Sequence, residues 1–206
     1  MQRGRLSEGT MEILPGEVEQ ILEFLRSAEK LKDTLRSGRT TQGRPESTAE
    51  HTWRLCLLAL LLENRYPAVD HHRLLKLCLV HDLGEALYGD TPAVHLAAWK
   101  DKQDAERSQF LELLAPLPPA LHAALLALWD EYHAAVTPEA RLAKAFDKLE
   151  TLLQHTQGRN PPDFDYPFNL TYGRLYTDYD AMTQALRACI DVATRNLANA
   201  EKHQQR

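Results

Sequence analysis

The chain has 206 residues, with 24 Lys plus Arg against 29 Asp plus Glu and a formal net charge of -5. That length suits a single domain that buries a core without disulfides, and the acidic balance argues against a nucleic-acid polymer as partner, which a basic patch would mark. Cys56, Cys78 and Cys189 are odd in number, form no C-x-x-C pair and sit in Leu/Ala-rich stretches, as expected of reduced, buried thiols in a cytoplasmic protein; no secretory leader pattern is seen, and the longest apolar run, 55–62, is far too short to span a membrane.

Residues 1–14 carry no clear period and read as a flexible N-terminal segment, leaving 15–206 as one domain. From Glu17, the apolar positions Val18, Ile21, Leu22, Leu25, Ala28 and Leu31 recur at helical spacing and predict a helix ending near Gly38. A polar connector, RTTQGRP, follows. Ser47 and Glu50 form an S-x-x-E capping box that opens a second helix, which runs to about Tyr66 and is stopped by Pro67. Asp70 caps a third helix running to about Tyr88, and residues 89–92 read as a turn. A fourth helix is predicted from Val94 to Leu114. Prolines at 116, 118 and 119 break the chain before a fifth, which ends near His133. Thr137 followed by Pro138 opens a sixth helix that ends near Gly158. The aromatic-rich segment 159–169 is irregular, and a last long helix fills about 172–202. With no β-alternation of any length, no internal repeat and no low-complexity tract, the expected class is all-α, a compact bundle of about seven helices.

The stretch KLCLVHDLGEALYGD, 76–90, begins like a core helix and ends with His81, Asp82, Glu85 and Asp90. Ionised groups on a buried face cost free energy unless they are paired or bound to metal. Glu85 lies three residues from Asp82 and four from His81, so it shares their face. A His-Asp dipeptide is expected by chance in a chain of this composition; its place on so apolar a helix is what makes it informative. Two other residues stand out, His51 in AEHTW and Asp147 in KAFDKLETLL. Taken singly each has a plain structural reading. His51 could be a core-edge histidine, and Asp147 a partner of Lys144 or Thr151, although Leu142, Ala143, Phe146 and Leu149 around it argue for at least half burial. Glu85 could be a solvated residue, and Asp90 a cap on the next helix. Taken together, two imidazoles and two carboxylates suit one divalent transition metal, Mn, Co, Fe or Zn, better than Ca or Mg. His71-His72 reads as a polar first turn, and Trp99, Trp129 and the tyrosines of 166–179 as packing or a pocket wall.

The order H … HD … D across successive helices resembles the HD-domain metal-dependent phosphohydrolases. PESTAEHTWRL is similar to the first-histidine segment of the 5'-deoxynucleotidase subgroup, HDLGEALYGDTP to its HD segment and KAFDKLETLLQ to its last aspartate segment. The resemblance covers about 18–186. It implies an HD-domain helical bundle in which His51, His81, Asp82 and Asp147 are metal ligands and Glu85 and Asp90 are catalytic. Relatives place a tryptophan before the first histidine segment to help position the nucleotide; here that region, LRSGRTTQGRPES, has none.

The implied activity is hydrolysis of nucleoside 5'-monophosphates, deoxynucleotides favoured, to nucleoside and phosphate. The alternatives are an HD-type phosphodiesterase or pyrophosphohydrolase on another nucleotide, or a non-catalytic nucleotide-binding scaffold. A phosphate dianion calls for a bidentate arginine at the mouth. Arg44, seven residues before His51, is the first choice and Arg36 the second, while Lys148, next to Asp147, could reach the phosphate from the rim or be merely solvated. The expected partner is a small phosphorylated substrate, with homodimerisation through an apolar face of the last helix compatible with the subgroup.

Overall fold

Residue 147, expected to be at least half buried, lies on the helix that the rest of the domain wraps. In the computed structural model, residues 14–90 and 99–204 are described, without side chains for 99–102 and 201–204. Their helices are α1 (Glu17–Ala28), α2 (Thr48–Leu61), α3 (His71–Val80), α4 (Glu85–Tyr88), α5 (Trp99–Leu114), α6 (Pro119–Ala134), α7 (Pro138–Gln157), α8 (Tyr166–Asn169), α9 (Arg174–Thr177) and α10 (Ala181–Gln204). Seven of these have ten residues or more, which matches the expected bundle. The predicted loose segment 1–14 and the helix start at Val94 fall almost wholly outside the described residues.

Thirteen of the twenty residues of α7 are buried, so this helix is a core element rather than a surface one. It packs on α2, α3, α6, α9 and α10. Leu55, Leu74, Leu77, Leu142, Phe146, Leu149 and Leu152 fill the main core between them. A second core, built on Phe24, Leu31, Val80, Phe110, Leu113 and Trp129, lies under α1 and α5. The expected caps are present: Ser47 and Glu50 satisfy each other's backbone N–H groups, Asp70 accepts from the Arg73 N–H, and Thr137 accepts from the Ala140 N–H ahead of α7. Among the described residues no helix is long and apolar enough to cross a membrane.

Four expectations are corrected. The first helix ends at Ala28, followed by a 3-10 turn, Glu29–Lys32, and an antiparallel hairpin of β1 (Leu35–Arg39) and β2 (Pro45–Ser47). The strands are too short and too polar to show an alternating pattern. The loop closes through the Gly43 N–H donating to the Thr40 carbonyl, at 2.9 Å, with Gly43 at φ 87° where other residues are strained. The hairpin also presses on the end of α7, where a Cβ on Gly158 would stand 2.1 Å from the Arg39 carbonyl oxygen. Second, α3 stops at Val80, because residues 80–87 switch to i to i+3 hydrogen bonding that pulls Glu85 around a tight turn. Third, α10 begins at Ala181, where the Asp180 carboxylate accepts from the N–H groups of Met182 and Thr183. The preceding segment is stapled instead by buried Arg187, which donates to the carbonyls of Asn169 and Tyr172 and pairs with Asp191 at 2.7 Å. Fourth, of the three free thiols only Cys78 is fully buried, and Cys189 is exposed. In addition α2 ends at Leu61, with a 3-10 turn at Glu63–Arg65 completing the run toward Pro67.

The α2 cap delivers the first histidine, so it is a sensitive test of local folding. Ser47→Ala removes the acceptor for the Glu50 N–H and should lower stability by about 1 kcal/mol, read as a lower urea midpoint at unchanged m-value; an unchanged midpoint would show that the cap contributes nothing.

Candidate metal centre and active site

The first turn of α2, the end of α3 and the middle of α7 bring His51, His81, Asp82 and Asp147 to one place. His51 Nε2 lies 3.3 Å from Asp147 Oδ1 and 3.9 Å from Asp82 Oδ2, while His81 Nε2 lies 3.0 Å from the same Asp82 oxygen. Ligand atoms of His51, His81 and Asp82 all fall within 4.8 Å of one another. His51 is wholly buried, and His81 and Asp147 nearly so.

Each imidazole is oriented by its other nitrogen. The His81 Nδ1–H donates to the Cys78 carbonyl at 2.8 Å, and the His51 Nδ1–H donates to the Glu150 carboxylate. With Nδ1 so engaged, a neutral ring presents its Nε2 lone pair, and both Nε2 atoms are buried without a hydrogen-bond partner; against burial and Arg36, Glu150 and Asp147 raise the His51 imidazole to about 9, so a metal bound there displaces a proton. Buried nitrogens of this kind are costly unless something accepts the lone pair. His133 Nε2 is also buried and unpartnered, but that ring stacks on Trp129, and burial holds its imidazole neutral, down to about 3. What distinguishes His51 and His81 is that their lone pairs converge with two carboxylates. Two nitrogens and two carboxylates fit a divalent metal, and the carboxylate and carbonyl behind the imidazoles complete the usual outer arrangement.

The surroundings carry both acids and cations. Thr48 donates to Glu85 Oε2 at 2.9 Å. Burial, with Asp82 and Asp90 beside it, pushes the Glu85 carboxyl well above the usual carboxylate range. Asp90, at the turn after α4, also acts on Arg36. A cavity of about 30 Å³ is lined here by His81, Asp82, Gly84, Glu85, Trp129 and His133, room for about one water. The cations come from β1 and α7. Arg36, on β1, donates to Asp82 Oδ2 at 3.1 Å and to Thr151 Oγ1 at 3.2 Å. Lys148 Nζ lies 2.8 Å from Asp147 Oδ2, the oxygen that also accepts from the Tyr132 hydroxyl at 2.7 Å. Against the opposing effect of burial, His81 and Arg36 hold Asp82 well below the usual range.

Of the predicted site residues, the structure brings Arg36, Lys148, Glu85 and Asp90 around the four candidate ligands. It places Arg44 elsewhere: its guanidinium is exposed and engaged by Glu50, with a further bond to the Pro45 carbonyl. Two residues that matter were missed. Glu150 lies three residues after Asp147, a spacing that puts both on one face of α7, so it was open to discovery. Tyr132 comes from α6 and carried no local signal.

A family description reading "HD domain" matches residues 28–187. Among curated relatives, 5'-deoxynucleotidase HDDC2 of Dictyostelium discoideum is 32% identical over 149 residues, which are 68% of this chain and 78% of that protein. The 5'-deoxynucleotidase hdd1 of Schizosaccharomyces pombe is 34% identical over 140 residues, 65% of this chain and 70% of that protein. Among solved structures, a predicted metal-dependent phosphohydrolase from Magnetospirillum magnetotacticum superposes with a TM-score of 0.73 at 32% identity, over 87% of this chain and 94% of that one. With the match spanning most of the domain, from the end of α1 into α10, the chain belongs to the HD-domain phosphohydrolase family.

Proposed function

We propose that this protein is a metal-dependent phosphohydrolase that releases phosphate from nucleoside 5'-monophosphates, deoxynucleotides favoured, with His51, His81, Asp82 and Asp147 holding one divalent transition metal (Mn, Co, Fe or Zn). The observation that carries this reading is the pair of buried, unpartnered Nε2 atoms facing two carboxylates. The substrate class rests on the relatives' names, and the cations Arg36 and Lys148 beside the carboxylates suit a phosphate dianion.

When bound, the metal supplies Lewis acidity that polarises a phosphoryl oxygen and acidifies water. The chain's own residues supply the rest. Glu85, held by Thr48 and facing the small cavity, is placed to hold a water and exchange a proton with it. Asp90, on the following turn, stands near Glu85 as a second acid, to position the water from another side or to protonate the departing alkoxide. Arg36 and Lys148 are already hydrogen-bonded to Asp82 and Asp147, so they are oriented before substrate arrives and can share their remaining donors with phosphate oxygens.

Glu150 acts through His51. Its second oxygen accepts from Arg54 Nε at 2.6 Å, which fixes the carboxylate, and the carboxylate in turn fixes the imidazole tautomer with Nε2 toward the metal.

The test of the reading is phosphate release from a panel of monophosphates, diesters and polyphosphates by metal-replete protein. Monophosphates should be the substrates, and Glu85→Ala should lower kcat by about 10²–10⁴-fold while retaining bound metal; inactivity on every monophosphate defeats the proposal, and full activity in the variant removes Glu85 from it. Glu150→Gln, in a competition titration with a chelator, should weaken metal binding by about 10–100-fold; unaltered affinity would reduce Glu150 to a packing residue.

A further inference from the structure

Lys144 stands one helical turn before Asp147 on α7 and is only 8% exposed. Lysine is rarely buried to this degree without a carboxylate partner. Among the described residues no carboxylate stands within ion-pair distance of Lys144. Its Nζ lies instead 4.1 Å from the centre of the Tyr132 ring and 5.4 Å from that of Tyr176. Aromatic faces recover part of the hydration lost by the ammonium, but they leave its three N–H donors without a strong acceptor. Burial, reinforced by Lys148 four residues on, lowers its pKa to about 8, against the weaker pull of Asp147, Asp82 and Glu106.

The position is tied to the candidate centre through Tyr132. The ring under Lys144 lies 5.0 Å from the His81 ring, and its hydroxyl donates to Asp147. Lys148 follows on the same side of α7, 5.5 Å from the centre of the Tyr172 ring. Both tyrosines above the lysines belong to the segment that Arg187 staples to α10, and Gly173 allows that segment to sit close, since a Cβ there would stand 2.8 Å from Lys148 Cβ. The fold thus holds two ammonium groups side by side. Lys148 has its counter-ion in Asp147, and Lys144 has none among the described residues.

An uncompensated buried cation burdens the folded chain, and an arriving anion relieves it. We propose that Lys144 is a substrate-binding residue, taking a phosphate oxygen beside Lys148. This rests on the phosphohydrolase reading and adds a contact to it.

The experiment compares wild type with Lys144→Met and Lys144→Arg, all metal-loaded, by calorimetric titration with inorganic phosphate, by KM and kcat on a monophosphate, and by thermal unfolding. Lys144→Met should weaken phosphate binding and raise KM by about tenfold, the scale of one charge-assisted hydrogen bond, with metal content intact and Tm equal or higher, since the buried charge is gone. Lys144→Arg should restore part of the phosphate affinity. Unchanged phosphate affinity in a folded, metal-loaded Met variant overturns the proposal, as does a lower Tm without a change in affinity, which marks a structural lysine. If the Met variant fails to fold, the Arg variant decides: phosphate affinity no better than that of the wild type weakened tenfold, or no change at all in KM on replacing ammonium by guanidinium, also overturns it. Wild type that turns over no monophosphate defeats the phosphohydrolase reading itself, a result distinct from active wild type whose Lys144 variants bind phosphate normally.

Discussion

The lone pairs of two buried imidazoles govern this structure. His51 and His81 each give one ring N–H to an acceptor in the protein and aim the other nitrogen, unpartnered, at Asp82 and Asp147. An interior that assembles carboxylates this closely needs positive charge among them. Arg36 and Lys148 supply part of it, and the convergence of nitrogen and oxygen donors provides a place for a metal to supply the rest. Much of the surrounding architecture serves that arrangement: the capping box that starts α2 just before His51, the tightened turn that ends α3 at His81, and the burial of α7 on nearly all sides.

Acids and cations meet around the centre. Glu85 borders a small cavity with room for water; Arg36 bonds Asp82 and is acted on by Glu85 and Asp90, and Lys148 pairs with Asp147. The proposed displacement at phosphorus uses both kinds of group, acids for the water and cations for the phosphate oxygens, and the two sets come from different elements. Glu85 opens α4 and Asp90 lies on the turn after it. The cations come from β1 and α7, braced by the irregular segment that Arg187 fastens to α10.

The parts of this that were legible in the sequence share a physical basis. Helical periodicity, the Ser47–Glu50 box, the Asp70 and Thr137 caps and the prolines act locally, so they could be read in place. The candidate ligands were found because charge on an apolar helix is anomalous, and because the flanking segments resemble a known family. What escaped was set by tertiary contact. The β1–β2 hairpin has too few residues to show a period and is held by Gly43 and by its fit against Gly158. Arg44 looked suitable by its distance along the chain from His51, yet Glu50, bound into the cap of the same helix, captures it. Arg36 reaches Asp82 only because the predicted helix gives way to a strand. Glu150 was within reach of an i, i+3 argument from Asp147, whereas Tyr132 arrives from another helix with no trace in its neighbourhood.

The most direct test of the central claim is a crystal structure of protein purified without chelator, with anomalous scattering recorded at the absorption edges of Mn, Fe, Co and Zn. The account predicts one strong peak bound by Nε2 of His51 and His81 and by carboxylate oxygens of Asp82 and Asp147, at about 2.0–2.2 Å. A peak elsewhere, or donation of either Nε2 proton to a neighbouring carboxylate in a catalytically active, metal-free protein, would contradict it.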